Sequence, residues 1–206
     1  RFYFRGIAEG QAIFSVIQST LVDADGFPVT HVAAEDKSVT IEVRAAVTGI
    51  VQRQGVLATA GKLACSQVTA VAGSIIGPAY TDRNGSFTLP NLPDGSYTLR
   101  ADYSGYLPSD KSITITLNNP PMIDFSTTTL LGGDIDNNNV INILDIAAIA
   151  APGVFGSNGV AVGSTSANCS ITDSPTDIND DGQINISDLA IAAGNWNKSG
   201  PTPWQP

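Results

Sequence analysis

Histidine occurs once in the 206 residues, at His31, and methionine once. Only two cysteines are present, Cys65 and Cys169, and charged residues make up only 14% of the chain. Each scarcity excludes something. His31 falls in a predicted loop with no nucleophile or metal-ligand spacing near it, so it reads as a surface residue. Two cysteines and one histidine cannot supply a structural zinc set, and no glycine-rich phosphate loop appears. No case for an enzyme follows. Ten Lys and Arg, spread without a basic cluster, argue against nucleic acid as a partner. No apolar run approaches the ~20 residues that cross a bilayer as a helix.

What is abundant is polar, uncharged and small. Hydrophobic residues are 42% of the chain, enough for two small cores, and the net charge is −9. The chain opens Arg1-Phe2-Tyr3-Phe4-Arg5, with neither Met nor an apolar signal region. We read it as a processed or excerpted piece of a longer precursor. The two cysteines lie in different predicted domains. Pairing would clamp those domains together in oxidising surroundings; the other reading is two buried free thiols, and sequence does not give the Cα separation that decides.

The acidic excess gathers in two copies of one loop, Asp134 to Asp145 and Asp177 to Asp188. Oxygen-bearing side chains stand at loop positions 1, 3, 5, 9 and 12 in both copies, with isoleucine at position 8. Calcium takes about six to eight oxygens in a flexible cage, and this is the ligand spacing of an EF-hand loop. The first set is Asp134, Asp136, Asn138, the carbonyl of Val140, Asn142 (directly or through water) and Asp145. The second is Asp177, Asn179, Asp181, the carbonyl of Gln183, Asn185 and Asp188. Two calcium ions are expected. Read instead as metal-free turns, each loop would crowd three repelling carboxylates. Position 6 needs positive φ, which Gly182 adopts freely and Asn139 with some strain. Ile141 and Ile184 are expected to pair in the core.

Asn142 and Asn185 are expected N-caps. Apolar residues then recur at helical spacing: Ile143, Ile146 and Ile149, then Ile186, Leu189, Ala193 and Trp196. Pro152-Gly153 and Gly194 end the helices. No helix precedes either loop; Ser126 to Gly133 reads as strand or linker.

Loop then helix, twice, with Asp at position 12, resembles a dockerin, the module that plugs into cohesin domains in extracellular polysaccharide-degrading assemblies. The resemblance covers about residues 132–200. It implies partner contact through loop positions 10 and 11, here Ile143 and Leu144 in the first repeat and Ile186 and Ser187 in the second, unless some of these belong to the core. The Gly/Ser/Val/Ala-rich stretch from Ala151 to Thr176 departs from the pattern and is expected to be an irregular insertion.

Upstream, residues 45–125 alternate as strands do. Val47, Gly49 and Val51 open the run, Val68, Ala70 and Ala72 follow, and Thr81 to Leu89 carries Asn84-Gly85 as a hairpin signal. Pro93-Asp94-Gly95, the strand with Tyr97, Leu99 and Ala101, and a last strand with Ile113, Ile115 and Leu117 complete an expected antiparallel β-sandwich. The string Thr81-Asp82, Asn84-Gly85-Ser86-Phe87, Leu92, Gly95-Ser96-Tyr97, Ala101, Gly105-Tyr106 resembles the carboxypeptidase regulatory-like (transthyretin-like) domain. That resemblance implies an Ig-like spacer without catalytic residues of its own.

Residues 1–44 hold a strand-like run from Ala12 to Val22, a turn at Asp23-Ala24-Asp25-Gly26 and a strand from Ser38 to Val43. Leu21 to Gly26, Val29 and Ser38 to Ile41 resemble the last strands of a cohesin domain. Such a remnant would be poorly stable alone and its edges open to strand addition; alternatively these strands extend the middle sandwich.

The expected fold is therefore mainly β with a small α C-terminal module: a β-strand remnant (1–44), an Ig-like antiparallel β-sandwich (45–126), a paired loop-helix calcium module (127–200) and a tail (201–206). The expected function is that of a secreted calcium-binding adaptor docking to a cohesin-type partner, with extracellular polysaccharide degradation as the setting the resemblance implies. The alternative is a structural subunit polymerising head to tail with other copies of the same chain, since a heterologous contact that does not close gives a filament. An adhesin fragment is a lesser reading.

Overall fold

Alternation of apolar and polar residues builds the strands. The computed structural model describes residues 10–14, 25, 37–41, 44–57, 61–116, 122–159, 169 and 175–204. It divides into two units, Arg1–Val43 and Arg44–Pro206. In the first, β1 (Gly10–Phe14) and β2 (Lys37–Ile41) form a two-stranded antiparallel sheet with Gly10 opposite Ile41 and Phe14 opposite Lys37. His31 and the run from 15 to 22 lie outside the described residues.

The second unit is a β-sandwich with a small helical part. Its strands are β3 (Ala45–Arg53), β4 (Gln67–Ala72), β5 (Ser74–Tyr80), β6 (Ser86–Leu92), β7 (Gly95–Asp102), β8 (Gly105–Leu107), β9 (Ser109–Ile115), β10 (Met122–Asp134) and the short β11 (Thr202–Pro203). One sheet has the order β6-β3-β10-β8 and the other β11-β9-β7-β4-β5. Along β3 every second residue, Ala45 through Arg53, points inward, and β7 buries Tyr97, Leu99 and Ala101 in the same way. These meet Val68, Phe87, Leu89, Leu92, Ile113 and Ile115 in one core. Burying each of the leucines stabilises the fold by about 1.5–3 kcal/mol.

Two expectations change. The sandwich is not purely antiparallel, because β10 pairs with β3 in parallel and β11 with β9 likewise. And Asn84-Gly85 does not close a hairpin, since β5 and β6 belong to different sheets. The turn crosses between layers, held by Asp82, whose Oδ1 accepts from Asn84 N at 2.8 Å and from Ser86 N at 2.9 Å. A turn motif fixes local geometry; which sheet each flanking strand joins depends on pairings outside the turn.

The segment Ser126 to Gly133, open between strand and linker in sequence, is the C-terminal part of β10. That strand lies along β3 from Met122 to Leu130, then switches to β8, with Asp134 opposite Gly105. It thus runs from the sandwich into the first acidic loop without a break. Helix α1 (Ile143–Ile149) follows that loop and α2 (Ile186–Gly194) the second. Residues 201–206, expected as a tail, begin with β11, and the Trp204 ring meets Phe87 edge-on at 6.4 Å between centroids.

Candidate metal centre

Each acidic loop is organised by its own backbone N–H groups. Asp134 accepts from Asn138 N through Oδ1 and from Asn139 N through Oδ2, both at 3.0 Å. Asp177 does the same with Asp181 N at 3.2 Å and Gly182 N at 3.0 Å. At position 12, Asp145 accepts from Ile135 N and Asn142 N, each at 2.8 Å, and Asp188 from Asn179 N and Asn185 N at 3.1 and 2.9 Å. Asn142 and Asn185 cap α1 and α2, each completing a capping box with the Asp three residues on. So the last acidic residue of each loop both starts a helix and faces the loop interior.

Between positions 3 and 5, acid and amide change places. In the first loop Asn138 Nδ2 donates to Asp136 Oδ2, and in the second Asn179 Nδ2 donates to Asp181 Oδ2, both at 2.9 Å. Either way each loop keeps three carboxylates. At position 9, Asn142 Nδ2 donates to the Val140 carbonyl at 3.2 Å and Asn185 Nδ2 to the Gln183 carbonyl at 3.3 Å. Position 6 has positive φ in both loops, Asn139 at 65° and Gly182 at 92°.

The loops also borrow from each other's repeats. Ile141 N donates to Lys198 O and the Ile141 carbonyl accepts from Asn197 N, both at 2.9 Å, while Ile184 N donates to Ser157 O at 3.0 Å and its carbonyl accepts from Gly156 N at 2.8 Å. The chain after α2 therefore braces the first loop, and the chain after α1 braces the second. The backbone partners of Ile141 and Ile184 are these flanking segments rather than one another. Both side chains are buried, as position 8 requires.

Electrostatically the loops favour a cation. Asp134, Asp145, Asp177 and Asp188 are all buried. Burial, with the like charges of Asp145 and Asp136 adding to it, pushes the Asp134 carboxyl up to about 6 against the pull of its two backbone N–H bonds. Asp177 is pushed up to about 6 by burial, with Asp188 and Asp181 adding. In the first loop Asp134, Asp136 and Asp145 each offer an oxygen, all within 4.8 Å of one another. A single cation can bridge such a triad, and an all-oxygen donor set suits a hard ion.

Position 4 also has positive φ, at Asn137 (55°) and Asp180 (54°), and these side chains, spacers in the ligand pattern, join the loops to the sandwich. Asn137 Oδ1 accepts from Gly105 N and its Nδ2 donates to Ser104 Oγ, both at 3.0 Å. Asp180 is buried beside Lys62, whose Nζ lies 3.6 Å from Oδ1 and also donates to the Asp180 carbonyl. Burial raises the Asp180 carboxyl, with Lys62 and Arg53 acting the other way. Buried Asn195 adds a third tie, donating from Nδ2 to Gln54 Oε1 at 2.5 Å and to Gly132 O at 2.8 Å. A disulfide joins Cys65 to Cys169, 104 residues apart. The residues at 160–168 and 170–174, within the expected insertion, lie outside the described residues.

Loop positions 10 and 11 face outward in both repeats. Ile143, Leu144 and Ile186 are 61%, 63% and 65% exposed, and Ser187 is exposed as well. The helix faces differ from the expected stripe. In α2 the inward residues are Asp188 and Ala192, with Leu189 and Ile191 partly buried, while Ala193 and Trp196 look outward. The capping carboxylate fixes this rotation: Asp188 must turn into the loop, and Ala192 follows it one turn later.

Residues 46–128 match the family model of the carboxypeptidase regulatory-like domain. No curated protein matches the chain. Among solved structures, a chain from a type II cohesin-X-dockerin complex of Acetivibrio cellulolyticus, an N-terminal interface mutant, aligns with a TM-score of 0.58 and 24% identity over 75% of this chain and 97% of that one. A C-terminal interface mutant of the type II complex from the same organism gives 0.57 and 21% over the same shares. At this identity the likeness is one of fold.

Proposed function

We propose that this is a secreted assembly protein whose residues 127–200 form a dockerin-like module holding two calcium ions and docking a cohesin-type domain. Residues 45–126 serve as a rigid Ig-like spacer. The observation that carries this reading is the pairing of two loops with matching internal hydrogen bonds, each presenting outward residues at loop positions 10 and 11, the first two residues of its helix. Calcium would be held by Asp134, Asp136, Asn138, the Val140 carbonyl, Asn142 and Asp145, and by Asp177, Asn179, Asp181, the Gln183 carbonyl, Asn185 and Asp188. Its charge would offset the carboxylates gathered there. Exposed Ile143, Leu144 and Ile186 supply an apolar contact, with Ser187 beside them. A chain of the type II cohesin-X-dockerin complexes shares this fold, which supports a protein partner of that kind.

The test is calorimetric titration of the chain with purified cohesin-type domains, in millimolar calcium and in excess EDTA. Calcium-dependent binding that Ile143→Asp with Leu144→Asp removes, at unchanged melting temperature, is the expected result. Calcium-independent binding, or binding indifferent to both substitutions, sinks the reading. Light scattering of the chain alone gives the second arm: calcium-dependent growth into large species would favour the head-to-tail filament, with further copies of the chain as the partner.

A further inference from the structure

We propose that the second loop's calcium affinity is set from the sandwich by a charge cluster, Arg53, Lys62 and Asp180, whereas among the described residues position 4 of the first loop makes only neutral contacts. The inference rests on the calcium reading of both loops. The two ligand sets carry equal charge, three carboxylates each, so a charge difference between the sites comes from their surroundings. At position 4 the surroundings diverge. Asn137 meets the sandwich through neutral hydrogen bonds to Ser104 and Gly105. Asp180, in the same left-handed conformation, meets the Lys62 ammonium instead, with the Arg53 guanidinium within electrostatic reach. Lys62 Nζ is 3.6 Å from its carboxylate and donates to its carbonyl. Arg53, itself buried, donates to the Lys62 carbonyl and stacks on Tyr103 at 3.9 Å from the ring centroid.

The cluster holds two positive charges and one negative, so a net positive charge backs the second loop, whereas among the described residues Asn137 ties the first loop to neutral groups and Lys198, whose carbonyl braces Ile141, turns its ammonium to Asn195 Oδ1. A charge in a partly desolvated site acts on a divalent ion across several ångströms. Asp180 and Lys62 are therefore positioning residues of opposite sign. Asp180→Asn leaves both cations unopposed and weakens the second site roughly three- to tenfold; Lys62→Met leaves Arg53 balanced by Asp180 and strengthens it by a similar factor. Asn tolerates the left-handed backbone at 180, as Asn137 does in the first loop. Because Lys62 is partly exposed, added salt should shrink both shifts.

The experiment is calorimetric titration of the full chain with calcium chloride. Both substitutions are made in an Asp136→Ala background, which leaves the second site, and in an Asp181→Ala background, which leaves the first. Lys62→Gln is a second variant with the same expected sign, and thermal melts in EDTA check folding. Opposite shifts at the second site, reduced by salt, with the first site unchanged within about twofold, are expected. Weakening by both substitutions, or equal shifts at the two sites, overturns the proposal and assigns the cluster to packing alone. A parent chain that binds no calcium overturns the calcium reading itself, a distinguishable failure.

Discussion

A β-carbon on Gly159 would overlap Oδ2 of Asp177, the carboxylate that opens the second loop. The backbone brings them together: Gly159 N donates to Gly182 O at 2.9 Å, laying the segment after α1 directly over the loop. Gly159→Ala should therefore displace a carboxylate proposed to hold calcium. We expect at least a tenfold loss of affinity at the second site, about 1.4 kcal/mol, with the first site retained. Two-site calorimetry measures it; an unchanged second site would show that the segment yields without moving Asp177.

Removing the first ligand from both loops should remove calcium binding altogether. Asp134→Ala with Asp177→Ala deletes the acceptor for two backbone N–H groups in each loop as well as the charge. The expected outcome is no calcium heat and loss of the helical signal of α1 and α2, because binding energy at such a site is folding energy. A double variant that stays folded and binds calcium would exclude these residues as ligands.

Protons and calcium should compete at the same two carboxyls. Asp134 and Asp177 are each raised from 3.8 to about 6 in the metal-free fold. The folded state then holds protons that the unfolded chain gives up, so in EDTA their stabilising contribution is present below about pH 4 and is lost as pH rises through about 6. Calcium requires the ionised form, so its affinity should fall as pH drops below about 6. Melts across this window, with calcium and with EDTA, should therefore diverge as pH rises. Parallel curves would contradict the expectation.

Opening the Cys65–Cys169 bridge should cost stability through the chain it closes. A separation of 104 residues corresponds to roughly 3–5 kcal/mol of loop entropy in the denatured state. Cys65→Ser with Cys169→Ser should lower the denaturant midpoint accordingly while leaving the acidic loops formed. A change below about 1 kcal/mol would mean that the unfolded chain is already constrained elsewhere.

The acidic loops were readable from sequence because their chemistry is local: ligand spacing, the bend at Asn139 and Gly182, and the caps Asn142 and Asn185 are all decided within twelve residues. Position 4 was readable in principle, since Asn137 and Asp180 are residue types that accept a left-handed backbone, but the ligand pattern casts them as spacers. Asn84-Gly85 misled because its turn signal is genuine while the strands on either side pair away from each other, β5 with its neighbour β4 and β6 with β3 earlier in the chain. The parallel partnership of β3 and β10 joins residues about eighty apart and left no local trace.

That partnership has a mechanical consequence. Strands β3 and β10 run in the same direction, so residue 44 and the first acidic loop leave the pair at opposite ends. Tension applied between them would slide the strands lengthwise and load their hydrogen bonds together, instead of peeling them one after another. The spacer is wired in shear, the orientation in which a small sandwich resists pulling best.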